Sequence, residues 1–244
     1  MDSSGRVTAY PLREVWLIEV DGAYGEVADA VDHTIQIALA ETPRGVVCSL
    51  TGTLSDAGEA ELDALASAGR HVEAWPAIPL VLATRETILP GLLAGRAGAE
   101  RLTYASSMLH GWTQVMTRRA SPTAHLRLAS GAMASRNARR FLTRCCLDWG
   151  LNQHLASGPL VVSELVTNAI QHARTDIEVV LAADGSKLRI AVRDRDPSPP
   201  VTQSTEPEAP TGRGLRVVQT LSRASGAFPT VDGGKFVWAV LGPP

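Results

Sequence analysis

The chain has 244 residues, enough for one or two domains. With 45% hydrophobic and 20% charged residues it has a globular composition, which excludes a fibrous or disordered chain. A net charge of −2 and a pI near 6.3 give no overall basic field for nucleic acid.

The charge is unevenly placed. Residues 1–120 carry a net −6 and residues 121–244 a net +4, which suits an anionic ligand on the second half. Lys187 and Lys235 are the two lysines among 23 basic residues. Cys48, Cys145 and Cys146 form neither a disulfide framework nor a zinc-spaced cluster. Residues 1–13 contain no apolar signal core, and the uncharged apolar stretch of residues 74–84 is too short to span a bilayer. The expectation is a soluble cytoplasmic protein of bacterial type, with neither a membrane nor direct nucleic acid as partner.

In chain order, Val15–Val20 reads as a strand and Gly25–Ala40 as a helix, with Val27, Ala30, Val31, Ile35 and Ala38 at helical spacing. Gly45–Leu50 is a short apolar strand. Asp56–Trp75 has helical period, with Asp56 placed to cap it. Ile78–Thr84 reads as a buried strand, Arg85–Arg96 as a weaker helix, Arg101–Tyr104 as a short strand and Ser106–Met116 as a helix. Strands alternating with helices predict an α/β layer structure.

Residues 117–123 (TRRASPT) are polar and broken by Pro122, so they read as a linker between a first domain, 1–116, and a second, 124–244. In the second, Leu126–Leu128 starts a strand, and Met133–Trp149 is an amphipathic helix with Arg136, Arg139, Arg140 and Arg144 on its polar side. That side is a solvated face or a dock for an acidic partner. Pro159–Ala173 is a second helix. Ile177–Ala182 and Leu188–Val192 form a hairpin around Asp184-Gly185. Residues 196–210 hold five prolines and are irregular. Arg213–Ser225 is a third helix, and Phe228–Val231 with Lys235–Leu241 a final hairpin.

Glu164, Asn168 and His172 recur every four residues, which places them on one edge of the second helix. An amide oxygen there can serve Mg²⁺, and a carboxylate can take a proton from an attacking hydroxyl. The same three residues would also fit a plain solvent face. Asp194 ends a strand and can receive an exocyclic amine, or simply terminate the strand. Thr211-Gly212-Arg213-Gly214-Leu215 opens the third helix. Its glycines allow close backbone approach to phosphate at a helix N-terminus, or merely a turn. It is neither a Walker A loop nor a dinucleotide fingerprint.

Taken in order, VVSELVTNAIQHA (161–173), VRDRDPSPP (192–200), TGRGL (211–215) and GGKFVW (233–238) resemble the ATP-binding domain of the GHKL superfamily. They are most similar to the small anti-sigma-factor serine/threonine kinases. The resemblance implies a two-layer GHKL (Bergerat) α/β sandwich that binds ATP and Mg²⁺. It implies that Asn168 ligates the metal, that Glu164 is the base for a protein serine hydroxyl and that Asp194 binds adenine. It also implies that the segment Thr211, Gly212, Arg213, Gly214 and Leu215 covers the phosphates. It gives His172 no catalytic task. Two departures favour binding over turnover: the family's DxGxG reads Asp194-Arg195-Asp196-Pro197-Ser198, and a threonine near the adenine in the last strand reads Phe236.

Residues 10–116 resemble a STAS domain, the fold of anti-sigma-factor antagonists, on their strand–helix order and on LSDAGEAEL (54–62). The antagonists' phosphorylated loop reads Asp-Ser-Ser-Gly. Aligned on Gly58, the acceptor position is Asp56, which imitates the added charge at a helix start or acts only as an N-cap. Ser55 is a displaced acceptor.

The resemblance thus implies an α/β (α+β) protein with an STAS-like sheet followed by a GHKL domain. Its expected function is Mg-ATP-dependent phosphorylation of a partner antagonist in bacterial transcription control, and dimers are usual for such kinases. The alternative is a non-catalytic, nucleotide-gated module that sequesters a sigma factor or antagonist and is restrained by its own STAS-like domain.

Overall fold

Short apolar runs bounded by turn residues form the strands, and segments with apolar residues three or four apart form the helices. The computed structural model describes residues 5–50, 57–74, 78–173, 175–196 and 213–242. The chain divides into two compact units, Met1–Ala120 and Ser121–Pro244.

The first unit contains β1 (Arg6–Leu12), β2 (Val15–Asp21), α1 (Tyr24–Ala40), β3 (Gly45–Leu50), α2 (Glu59–Ala74), β4 (Leu80–Ala83), α3 (Leu89–Leu93), β5 (Leu102–Ala105) and α4 (Met108–Thr117). The strands form one sheet in the order β1-β2-β3-β4-β5. β1 pairs antiparallel with β2, and each later pairing is parallel. Parallel neighbours need crossovers, which the helical segments supply. Every residue of β3 and β4 is buried, as in a parallel sheet covered on both faces. One face packs Val15, Leu17, Val47, Val81, Ala83 and Ala105 on Val115, with Met108, Trp112 and Met116 of α4 around them. α1 buries Val27, Val31 and Ile35, lies on β2 and β3, and packs against α2.

One strand is unexpected in this unit and one expectation is corrected. β1 is a full strand, RVTAYPL, where the reading of the sequence places no element. The turn joining it to β2 has no glycine or asparagine. Arg13 instead takes the left-handed conformation, at φ 56°. The helix expected over Arg85–Arg96 shrinks to Leu89–Leu93. Pro90 sits in its first turn and cannot continue a helix from the N-terminal side. Ser55, Asp56 and Trp75 lie outside the described residues.

The second unit contains β6 (Thr123–Leu128), α5 (Ala134–Asp148), α6 (Gly158–Ala173), β7 (Ile177–Asp184), β8 (Lys187–Asp194), α7 (Arg213–Leu221), β9 (Ala224–Pro229) and β10 (Lys235–Leu241). The sheet order is β6-β7-β8-β10-β9, antiparallel throughout. Leu142 and Cys146 of α5, with Val161, Val162, Leu165 and Val166 of α6, pack onto Val179, Leu181, Ile190, Val192, Val237 and Ala239 of the sheet. This is a helical layer on one sheet face, within a mixed α/β fold of two sheets. α7 ends four residues earlier than its apolar spacing predicts. The Arg223 N–H donates to the Val240 carbonyl at 2.8 Å and Ala224 pairs with Val240, so the ladder claims these residues.

The three cysteines are buried and free. Burial pushes the Cys48 thiol up to about 12 and, helped by Cys145, the Cys146 thiol up to about 11, so they act as small apolar residues. Among the described residues no helix is long and apolar enough to cross a membrane.

Candidate functional site

α6 is two-sided. Val161, Val162, Leu165, Val166 and Ala169 are buried in the core, whereas Glu164 and Asn168, one turn apart, are half-buried on its edge. The side chain of His172, the third member of the spacing, lies outside the described residues. Ser163 donates to the Pro159 carbonyl at 2.7 Å and accepts from Arg139 Nη1 at 3.0 Å, which ties α6 to α5 beside Glu164.

The N-terminal turn of α7 meets this edge. A Cβ built on Gly214 would fall on the Glu164 carboxylate, so only a glycine leaves that carboxylate in place. Gly214 and Leu215 are half-buried in α7. Thr211, Gly212 and the side chain of Arg213 lie outside the described residues.

Asp194 closes β8, next to β10. It is 1% exposed and lines a cavity of about 430 Å³ with Arg127, Asp176, Arg193 and Asp232. Its Oδ1 accepts from the Asp196 backbone N–H at 2.9 Å and lies 3.2 Å from Lys235 Nζ. Its Oδ2 is buried and has no partner among the described residues. Burial pushes the Asp194 carboxyl up. The Asp196 N–H and the Lys235 charge pull it back, and Asp196 raises it, so it stays above the ordinary aspartate value.

The turn before β10 is fastened to this strand end. Asp232 Oδ1 accepts from Arg193 Nη2 at 3.1 Å and from Thr230 Oγ1 at 2.6 Å. A Cβ on Gly234 would overlap the Asp194 carbonyl oxygen and come within 2.8 Å of Arg195 Cα. The glycine therefore lets β10 start hard against β8.

Pairing then sets Lys235 opposite Asp194, and Phe236 opposite Arg193. Alternation turns Lys235 to the Asp194 side and Phe236, which is fully buried, to the other face. Phe236, expected beside the purine, is therefore not the neighbour of Asp194; that neighbour is Lys235. Sequence reasoning missed this residue. The signal open to it was one of two lysines in an arginine-rich chain, standing at the first position of a strand directly after paired glycines.

Among the described residues no three His, Cys, Asp or Glu side chains group to hold a metal. The neutral oxygen donor on the α6 edge is Asn168. The four arginines of α5 line a shallow surface groove with Thr143 and Leu147, and Arg144 lies 3.9 Å from Asp148.

Residues 129–241 match the family described as the histidine kinase-like ATPase domain. The second unit carries such a domain. A domain of this kind implies ATP binding. No curated protein matches the chain. Similar solved structures include the RsbU and RsbW domains of Rv1364c from Mycobacterium tuberculosis. That likeness has 23% identity and a TM-score of 0.39, over 52% of this chain and 34% of that one. They also include an anti-sigma factor antagonist from Mycobacterium paratuberculosis, with 19% identity and a TM-score of 0.37, over 48% of this chain and 97% of that one. This chain thus spans about a third of the length of the first of these structures.

Proposed function

We propose that the second unit binds Mg-ATP and transfers its γ-phosphoryl group to a serine or threonine hydroxyl of a partner antagonist of the STAS type, in control of a bacterial sigma factor. The observation that carries this reading is the meeting of Glu164 with Gly214 at the start of α7, inside a histidine kinase-like ATPase domain.

In this reading ATP is the phosphoryl donor and enters between the α6 edge, the start of α7 and the end of β8. Asp194 Oδ2 accepts from the exocyclic amine of the base. Asn168 offers its amide oxygen to Mg²⁺, which would take its other ligands from phosphates and water. The backbone of residues 211–215 covers the phosphates at a helix N-terminus. Glu164 accepts the hydroxyl proton as the new O–P bond forms and the bridge to ADP breaks. Positioning and charge stabilisation carry most of the rate. In the first unit, Asp56 or Ser55 holds the position that the antagonists phosphorylate.

The test is titration calorimetry with Mg-ATP together with transfer of labelled phosphate to a STAS antagonist. Glu164→Ala should keep ATP affinity within about threefold and lose transfer by about 100-fold or more. Asn168→Ala should lose both. Transfer unchanged in Glu164→Ala removes that residue from the chemistry.

A second reading is a nucleotide-gated binding module without turnover. The reading of the family's DxGxG as Asp194-Arg195-Asp196-Pro197-Ser198 favours it. ATP binding without transfer to any STAS antagonist would decide for it.

A further inference from the structure

Lys235 is a buried cation between two carboxylates. It is 5% exposed. Its Nζ lies 3.2 Å from Asp194 Oδ1, 2.9 Å from Asp196 Oδ2 and 3.2 Å from the Asp196 carbonyl oxygen. Nζ donates to both Asp196 oxygens and stands in ion-pair contact with Asp194 Oδ1, so its charge is turned onto these two carboxylates. Lys235 acts through Asp194. It occupies Oδ1 and leaves Oδ2, buried and unpartnered among the described residues, as an acceptor.

The charged groups around this carboxylate can be followed element by element. Lys235 comes from β10 and Asp196 from the chain beyond β8. Arg193 and Arg195, on either side of Asp194, lie toward Asp232. Arg127 of β6 and Asp176 and Glu178 at the start of β7 line the same cavity. On α6, Glu164 lies against Gly214, and on α7 Arg216 is exposed. Lys235 is thus the one cation within 4 Å of Asp194 among the described residues. Without it, the buried Asp194 carboxylate and the half-buried Asp196 carboxylate would stand near each other with no cation between them, which favours uptake of a proton.

We propose that Lys235 is a positioning residue that keeps Asp194 charged with one oxygen free, so that the site accepts a 6-amino purine and refuses a 6-oxo purine. An ionised carboxylate only accepts hydrogen bonds, which suits the amine of adenine. The carbonyl of guanine or hypoxanthine would set two acceptors against each other in a buried place. A protonated Asp194 would donate instead and would admit the 6-oxo base. This inference rests on the nucleotide site proposed above and adds the residue that keeps its base-reading carboxylate charged.

The experiment is titration of the full chain with Mg-ATP and Mg-GTP from pH 6 to pH 8. Wild-type protein should bind ATP about 100-fold more tightly than GTP, with a flat pH profile for ATP. Lys235→Met should lose about tenfold in ATP affinity at pH 6, regain most of it by pH 8, and narrow the ATP-to-GTP ratio about tenfold. Lys235→Met with Asp196→Asn removes the repelling carboxylate as well and should recover ATP affinity at pH 6. A uniform loss for both nucleotides at every pH would assign Lys235 to packing alone and overturn the proposal. An unchanged ratio and pH profile in Lys235→Met would also overturn it. Should Lys235→Met not fold, the wild-type profile still decides. An ATP affinity that climbs tenfold from pH 6 to pH 8 would mean that Asp194 is not held charged. Wild-type protein that binds neither nucleotide would sink the nucleotide site itself, a different failure from the loss of base selection.

Discussion

Asp32 of α1 and His71 of α2 join the two helices of the first unit through a 2.9 Å contact between Oδ1 and Nε2, while Gln36 Nε2 donates to Asp32 Oδ2 at 2.7 Å. Burial pushes the Asp32 carboxyl up. The hydrogen bond and charge of His71, with Gln36 and His33, outweigh it and leave the group below the ordinary aspartate value of 3.8. A carboxyl lowered in the folded state adds stability that is complete above the unfolded value. That stability is lost as the pH falls from 3.8 through the folded value. His71→Gln should therefore cost about 1–2 kcal/mol at pH 6. The difference from wild type should shrink below pH 4, as read by urea denaturation at each pH. A gap that stays constant down to pH 3 would show that the charge of the pair contributes nothing. Asp194 presents the opposite case, since burial there outweighs its partners. Two aspartates of one chain thus differ because one meets its partner at a partly open helix surface and the other in a nearly closed strand end.

At the scale of elements, α6 joins a structural face to a chemical edge. Leu165 is 1% exposed in the core. Leu165→Ala should cost about 2–5 kcal/mol and lower the urea midpoint of the second unit. Glu164→Ala and Asn168→Ala remove half-buried groups outside the core and should each cost under about 1 kcal/mol. If they destabilised as much as Leu165→Ala, the edge would be part of the packing rather than of a site. α6 was legible in the sequence because its apolar spacing and its polar spacing share one helical period. β3 was legible as well, since six apolar or small residues stand between turn formers. β1 was not, because its strand character comes from pairing with β2 across a turn that hides in an ordinary arginine. The end of α7 was not, because Arg223 and Ala224 answer to β10 and not to their own neighbours. The same holds for the site. Glu164 and Asn168 could be read from spacing alone, whereas Lys235 needed the register of β8 on β10, which a one-residue slip would have turned to the other face.

At the scale of the whole molecule, two sheets of different build share one chain. The first sheet is mostly parallel and depends on crossover helices, while the second is antiparallel and carries its helices on one face. The second unit has its own apolar cluster, from Leu128 to Leu241, drawn from α5, α6, α7 and four strands. A core drawn from one continuous stretch of chain needs no residue from elsewhere to exclude water. A fragment of residues 121–244 should therefore unfold cooperatively on heating and keep the nucleotide site. ATP at 100 times its dissociation constant adds about 2.7 kcal/mol to a site that exists only in the folded state. In a unit of this size that corresponds to a rise of roughly 10 °C in the melting temperature, readable by circular dichroism. The full chain should show the same rise for the transition that Leu165→Ala lowers, and no rise for the transition that His71→Gln lowers. A fragment that melts without cooperativity would show that its cluster is not sufficient as a core. A cooperative fragment that ATP leaves unmoved would place the nucleotide, if it binds the full chain, outside the second unit.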